Sequence, residues 1–179
     1  MTTRAILVID MQRGLVPGAY REAELIETVN QVIQRGRSAG VPVIFIQHNH
    51  ATFEPMKRGA RGWQVDDRLD RQTDDLTIEK EACDAFYETE LQSRLRALGV
   101  TELIVTGLQT EYCVDTTCRA ALSRGFDLVL VADGHSTGDS HLGAAAVVDH
   151  HNRTLAAMVH PRSRIQVLAA EVVSFEDPV

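Results

Sequence analysis

Asp10, Lys80 and Cys113 are the side chains of this 179-residue sequence whose types could together break a bond. An ionised thiol is a nucleophile, a carboxylate can take its proton, and an ammonium can keep that carboxylate charged while offsetting the thiolate. Each stands at or just beyond the end of an expected strand. Asp10 follows residues 5–9, Lys80 ends residues 76–80, and Cys113 lies just beyond residues 103–105, at the expected start of a helix. A helix N-terminus offers free N–H groups and a positive dipole end, which favour a thiolate or a developing oxyanion. Each residue also has a plainer reading: Cys113 as an inert buried thiol, Asp10 as a turn or cap residue, Lys80 as a solvated lysine. Cys118 falls on the apolar face of the helix after Cys113 and reads as structural, and Cys83 is placed only in a loop after Lys80.

The elements that must position these residues are legible as alternating patterns. Residues 5–9, 43–46, 103–105 and 128–131 are nearly continuous apolar runs, the pattern of strands buried on both faces of a parallel sheet, and 76–80 and 165–168 are weaker runs. Between them apolar residues recur at helical spacing: Leu25, Ile26, Val29, Val32 and Ile33; Leu91, Leu95 and Leu98; Val114, Cys118, Ala121 and Leu122; and an Ala-rich stretch from about 140 to 158. The reading is an α/β fold, a three-layer doubly wound sheet of six parallel strands, in one domain over residues 1–179. In such sheets ligands bind beyond the carboxyl ends of the strands, where the strand order reverses. Residues 48–75, with Pro55, Gly59, Gly62 and Trp63, break the rhythm and read as a functional loop or lid.

Composition narrows the function. A net charge of −7 argues against a nucleic-acid partner, and no apolar run reaches the ~20 residues of a membrane helix. The first ten residues lack the features of a signal peptide, and three cysteines are too few for a disulfide scaffold. The expectation is a cytoplasmic protein with reduced thiols. No glycine-rich dinucleotide fingerprint and no phosphate-binding loop are present, and no cofactor is expected.

Residues 5–12 (AILVIDMQ), 80–86 (KEACDAF), 103–126 (LIVTGLQTEYCVDTTCRAALSRGF) and Asp133 within residues 131–134 (VADG) resemble, in order and spacing, the isochorismatase-like cysteine hydrolases. That superfamily includes nicotinamidases and N-carbamoylsarcosine amidases, and the resemblance spans roughly residues 4 to 160. It implies a Rossmann-like six-stranded parallel sheet and a triad with Asp10 as general base, Lys80 as its cationic partner and Cys113 as nucleophile. It also implies a cis peptide at Leu108–Gln109 and an oxyanion hole from the backbone amides of Gln109 and Cys113. Where nicotinamidases carry an Asp-x-His metal motif, this chain reads Gln47-His48-Asn49-His50, with no Asp; His48 and His50 could still ligate zinc, but the sequence offers no clear third ligand, so no metal is expected. His48 is expected to face the pocket as a hydrogen-bonding or acid–base group, and Gln12, Trp63, Phe86 and Tyr112 to lie near the substrate, with Trp63 equally suited to a packing or subunit contact. Arg58 and Arg61 meet a substrate carboxylate or solvate the loop. His151 reads as a hydrogen-bonded core or interface residue.

The leading expectation is hydrolysis of a C–N bond in a small amide or carbamoyl compound through a thioester. The alternatives are a vinyl ether hydrolase with Asp10 as acid, and a non-catalytic binding protein. A homo-oligomer, dimer or tetramer, is expected because the last long helix carries Gly143-Ala144-Ala145-Ala146 and has Val147 and Val148 on different sides.

Overall fold

The computed structural model describes residues 3–175. Ten elements alternate along the chain: β1 (Arg4–Ile9), α1 (Glu22–Ser38), β2 (Val43–His48), β3 (Leu76–Lys80), α2 (Leu91–Ala97), β4 (Glu102–Leu108), α3 (Asp115–Ser123), β5 (Asp127–Ser136), α4 (Ala144–Ala156) and β6 (Ile165–Leu168). The strands form one parallel sheet in the order β3-β2-β1-β4-β5-β6. Side chains alternate along a strand, so the apolar runs feed two cores. From β1, Ala5, Leu7 and Ile9 pack with Leu91 and Leu95 of α2, Leu122 of α3 and Leu155 of α4. Ile6 and Val8 pack on the opposite face with Ile26, Val29, Val32 and Ile33 of α1.

The chain runs outward from β1 to β3, then returns through α2 to β4 on the other side of β1. The strand order therefore reverses between β1 and β4, and a crevice opens at their carboxyl ends. Gly107 lets the two strands close there. Its φ is +120°, and a Cβ on it would lie 2.0 Å from the carbonyl oxygen of Ile9. The peptide bond after Leu108 is cis.

Three boundaries differ from the sequence reading. β5 continues past the expected 128–131 to Ser136: the ladder pairs Val105 with Leu130, slips, and resumes with Gly107 opposite His135. Residues 133–136 are Asp-Gly-His-Ser, too polar to register as a buried strand. α4 starts at Ala144 rather than near 140, because Asp139 Oδ1 accepts the Ala144 N–H at 2.8 Å and so caps the helix. Cys113 is not at the start of α3. It sits in a π-helical turn, Thr110–Val114, that precedes it.

Residues 48–75 are anchored rather than free. Gln12 bridges to Val65, and the Gly14 N–H donates to the Gly62 carbonyl at 2.8 Å. The Asp66 N–H donates to the Met11 carbonyl at 2.9 Å. Gly62 is required for this approach, since a Cβ there would lie 2.5 Å from the Pro55 carbonyl oxygen. Among the described residues no helix is long and apolar enough to cross a membrane.

Candidate active site

Four neighbouring strands deliver four side chains to one point: Lys80 from β3, His48 from β2, Asp10 after β1, and Cys113 from the turn after β4. Lys80 Nζ is the hub. It lies 2.8 Å from Asp10 Oδ2, 3.0 Å from His48 Nδ1, 3.1 Å from Cys113 Sγ and 3.1 Å from the Ala82 carbonyl oxygen. An Asp10 carboxylate oxygen, a His48 ring nitrogen and Cys113 Sγ all lie within 4.8 Å of one another. Asp10 and Lys80 are each 1% exposed, so the plainer readings of a turn carboxylate and a solvated lysine do not hold. Asp10 has φ +50°, rare for a side chain other than glycine, and its N–H is tied to the Ile46 carbonyl at 2.9 Å.

The electrostatics follow from burial and neighbours. Burial works against the Lys80 charge, but Asp10 and Cys113 together outweigh it and hold the lysine pKa above its ordinary value. Burial, reinforced by the Asp10 charge, pushes the Cys113 thiol up, and Lys80 only partly opposes this. Cys113 thus lies in the turn before α3 rather than at the helix end, and burial with the Asp10 charge favours its thiol over its thiolate. Burial and the Lys80 charge lower the His48 pKa, so the ring is neutral and its Nδ1 can accept from Lys80. Asp10 Oδ2 accepts from Lys80, whereas Oδ1 is buried and accepts from none of the described groups. An oxygen of that kind is a ready proton acceptor.

The remaining expected residues divide. The Gln12 carboxamide is committed to backbone: Nε2 donates to the carbonyls of His48 at 3.1 Å and Trp63 at 2.6 Å, and Oε1 accepts the His48 N–H at 2.9 Å. It is fully buried and fixes the loop and the end of β2. Trp63 donates its indole N–H to Asn49 Oδ1 at 2.5 Å. Phe86 stacks on Phe126 at 5.8 Å with the Arg124 guanidinium 4.8 Å over its ring, which places it in the core beside α3. Tyr112 is exposed on the turn before Cys113. Arg58 pairs with Glu79 at 2.9 Å. His151 donates from Nδ1 to the Val147 carbonyl at 2.8 Å, Cys118 is buried on α3, and Cys83 is half-buried in the loop after β3.

The residues at the end of β2 do not fit an Asp-x-His metal set. His48, two residues before His50, stands where the motif has Asp, and its Nδ1 faces Lys80 Nζ at 3.0 Å, while Gln47 donates its carboxamide N–H to the Trp63 carbonyl at 2.9 Å. His50 Nδ1 accepts from the backbone N–H groups of Phe53 at 2.9 Å and Thr52 at 3.3 Å. Asp10, His48 and Cys113 are close enough to ligate a cation together, but the Lys80 ammonium already stands among all three.

Sequence reasoning missed a second cluster behind the turn: Thr110, His135 and Asn152, joined by hydrogen bonds of 2.8 Å. No apolar periodicity marks these residues: Thr110 and His135 are polar side chains near the ends of their elements, and Asn152 is a polar residue within α4. The one visible signal was a histidine two residues after Asp133, just past the matched residues 131–134.

Comparison with known proteins agrees with this fold. The Isochorismatase domain matches residues 4–162. Nicotinamidase 3 of Arabidopsis thaliana is 34% identical over 161 residues, covering 81% of this chain and 79% of the relative. Streptothricin hydrolase of Streptomyces noursei is 33% identical over 139 residues, which are 76% of this chain but only 50% of that protein. A crystal structure of an isochorismatase family protein superposes with a TM-score of 0.82 at 35% identity, covering 91% of this chain and 97% of the other. N-carbamoylsarcosine amidase from Thermoplasma acidophilum has the same fold, with a TM-score of 0.78 at 24% identity over 96% of this chain and 99% of its own. With a domain match over most of its length and the same sheet as these structures, the chain belongs to the isochorismatase-like hydrolase family.

Proposed function

We propose that the protein hydrolyses a C–N bond of a small amide or carbamoyl compound, with Cys113 as nucleophile, Asp10 as proton shuttle and Lys80 as their electrostatic partner. The observation that carries this reading is the Lys80 ammonium between Asp10 Oδ2 and Cys113 Sγ, with Asp10 Oδ1 left as a buried acceptor. Cys113 attacks the carbonyl carbon while its thiol proton passes to Asp10. Asp10 returns that proton to the leaving nitrogen as the C–N bond breaks, leaving a thioester. Water then attacks the thioester and gives a proton to Asp10, which returns it to the departing sulfur. The backbone amides of Gln109 and Cys113 are the donors assigned to the developing oxyanion. Nicotinamidase, streptothricin hydrolase and ureidoacrylate amidohydrolase among the relatives support an amide or carbamoyl substrate.

The test is a panel of small amides assayed for release of ammonia or amine, with intact-protein mass spectrometry during turnover. An acyl mass gain on Cys113 that Cys113→Ala abolishes together with turnover is expected. A Cys113→Ala protein that still turns over the same compound would overturn the reading and favour Asp10 acting as an acid on a vinyl ether. We also propose a homo-oligomer, on the exposed Leu142 and Val159 beyond the two ends of α4. Sedimentation to a single species near 19.8 kDa would refute it.

A further inference from the structure

His135 takes no part in the steps above, yet it is 3% exposed and both its ring nitrogens are bonded. The neighbours fix where its hydrogen lies. Asn152 Nδ2 donates to the Ala132 carbonyl at 3.0 Å, which turns Asn152 Oδ1 toward the histidine. His135 Nε2 is 2.8 Å from that oxygen and so carries the hydrogen. Nδ1 is then an acceptor, and the Thr110 hydroxyl, 2.8 Å away, donates to it. Burial drives the His135 pKa down to about 4, so the acceptor stays unprotonated at neutral pH.

Thr110 is the first residue of the π-helical turn that carries Cys113. At its start the Tyr112 and Val114 N–H groups share the single carbonyl of Gln109, at 3.1 and 3.2 Å. A π-turn is uncommon and needs outside support to keep its pitch. The Thr110 side chain supplies an attachment, and His135 carries it to α4 and to the backbone of β5.

We propose that His135 is a positioning residue for Cys113, which through Thr110 fixes the π-turn and hence the direction in which Sγ meets Asp10, Lys80 and a substrate carbonyl. The proposal rests on the reading of Cys113 as the nucleophile. It predicts that the Thr110 hydroxyl matters for reactivity rather than for affinity, and that His135 matters through it.

The decisive variants are Thr110→Val, which keeps the shape and removes the hydroxyl, and Thr110→Ser, which keeps the hydroxyl. His135→Leu and His135→Asn form a second pair, the latter retaining an acceptor on the same side. Two readouts are used: kcat and KM on the fastest amide of the panel, and the rate of Cys113 alkylation by iodoacetamide, followed by peptide mass spectrometry. Thr110→Val is expected to lower kcat and the alkylation rate roughly tenfold, with KM within about twofold, while Thr110→Ser stays near the parent. If His135→Leu does not fold, the Thr110 pair decides alone. Equal loss in Thr110→Val and Thr110→Ser, or parent-like alkylation in Thr110→Val, would overturn the proposal. Failure of the amide reading is seen separately, as turnover that survives Cys113→Ala. Alkylation reports on the sulfur whatever the substrate is.

Discussion

Lys80 Nζ and Asp10 Oδ2 form a 2.8 Å ion pair with both side chains essentially sealed from solvent. Breaking such a pair from one side strands a buried charge, which costs more than the pair itself contributes. Lys80→Met is expected to lower unfolding free energy by about 3–5 kcal/mol, measured by denaturant titration. The double variant Asp10→Asn/Lys80→Met removes both charges and should recover part of that loss. A double variant no more stable than Lys80→Met would show that the pair is not the origin of the effect.

Asp10→Asn separates ionisation from catalysis. After burial, the Asp10 charge is the main influence holding the Cys113 thiol up, and Lys80 opposes it. Removing that charge should move the thiol pKa down, so thiolate absorbance near 240 nm should rise at a lower pH than in the parent. Amide turnover should nevertheless fall by about 100-fold or more, because the proton shuttle is gone. Turnover that rose with the thiolate would mean that Asp10 only suppresses ionisation.

How much of this was legible depends on the kind of signal each residue leaves. Asp10 terminates an apolar strand, and a charge at such a boundary stands out against the run before it; Lys80 follows Glu79 in the weaker run Leu-Thr-Ile-Glu-Lys and was legible only by its place at the strand end. The parallel sheet is visible for the same reason, because a strand buried on both faces has no alternation. Gln12 was visible as a polar residue beside Asp10, but not its role, since its backbone partners lie 36 and 51 positions away. Phe86 carried an apolar signal equally suited to a pocket and a core, and only its stacking on Phe126 decides. The state of Cys113 depends on a charge 103 positions away in the chain and on burial, neither of which local sequence records.

His135 makes stability depend on pH. Its folded pKa is about 4 against 6.5 for the free side chain, so between these values the unfolded chain binds a proton that the folded chain does not. The contribution is fully present above pH 6.5 and is lost as pH falls toward 4, by on the order of 3 kcal/mol in all. His151 and Asp133, the charged neighbours, act in opposite directions. The difference in unfolding free energy between the parent and His135→Asn, measured from pH 7.5 to pH 4.5, should change by a large part of that amount. A difference independent of pH would contradict the buried neutral ring.

Activity is expected to survive exhaustive chelation. The Lys80 ammonium stands among the three groups best placed to bind a cation, and His50 Nδ1 is occupied by backbone N–H groups. His50→Ala should likewise keep turnover within a few-fold. Loss of activity on chelation, restored by zinc, would require Lys80 to give up its place.

Gly107→Ala tests whether the crevice depends on the closeness of β1 and β4. A Cβ there would lie 2.0 Å from the Ile9 carbonyl oxygen and 2.7 Å from the Ile9 nitrogen, both backbone atoms of a central strand that cannot turn aside. The residue would also have to adopt φ +120°. Gly18→Ala is the control, because its φ is +83° but nothing lies within 4 Å of its Cβ, so it isolates backbone strain from collision. The control should lose about 1 kcal/mol, and Gly107→Ala upwards of about 3 kcal/mol or its solubility. Ile9 immediately precedes Asp10, so any folded Gly107→Ala protein must shift the strand that carries Asp10. Its Cys113 should then alkylate at a rate different from the parent, whereas Gly18→Ala should match it. Equal stability of the two variants would mean that β1 and β4 can separate at this point without cost.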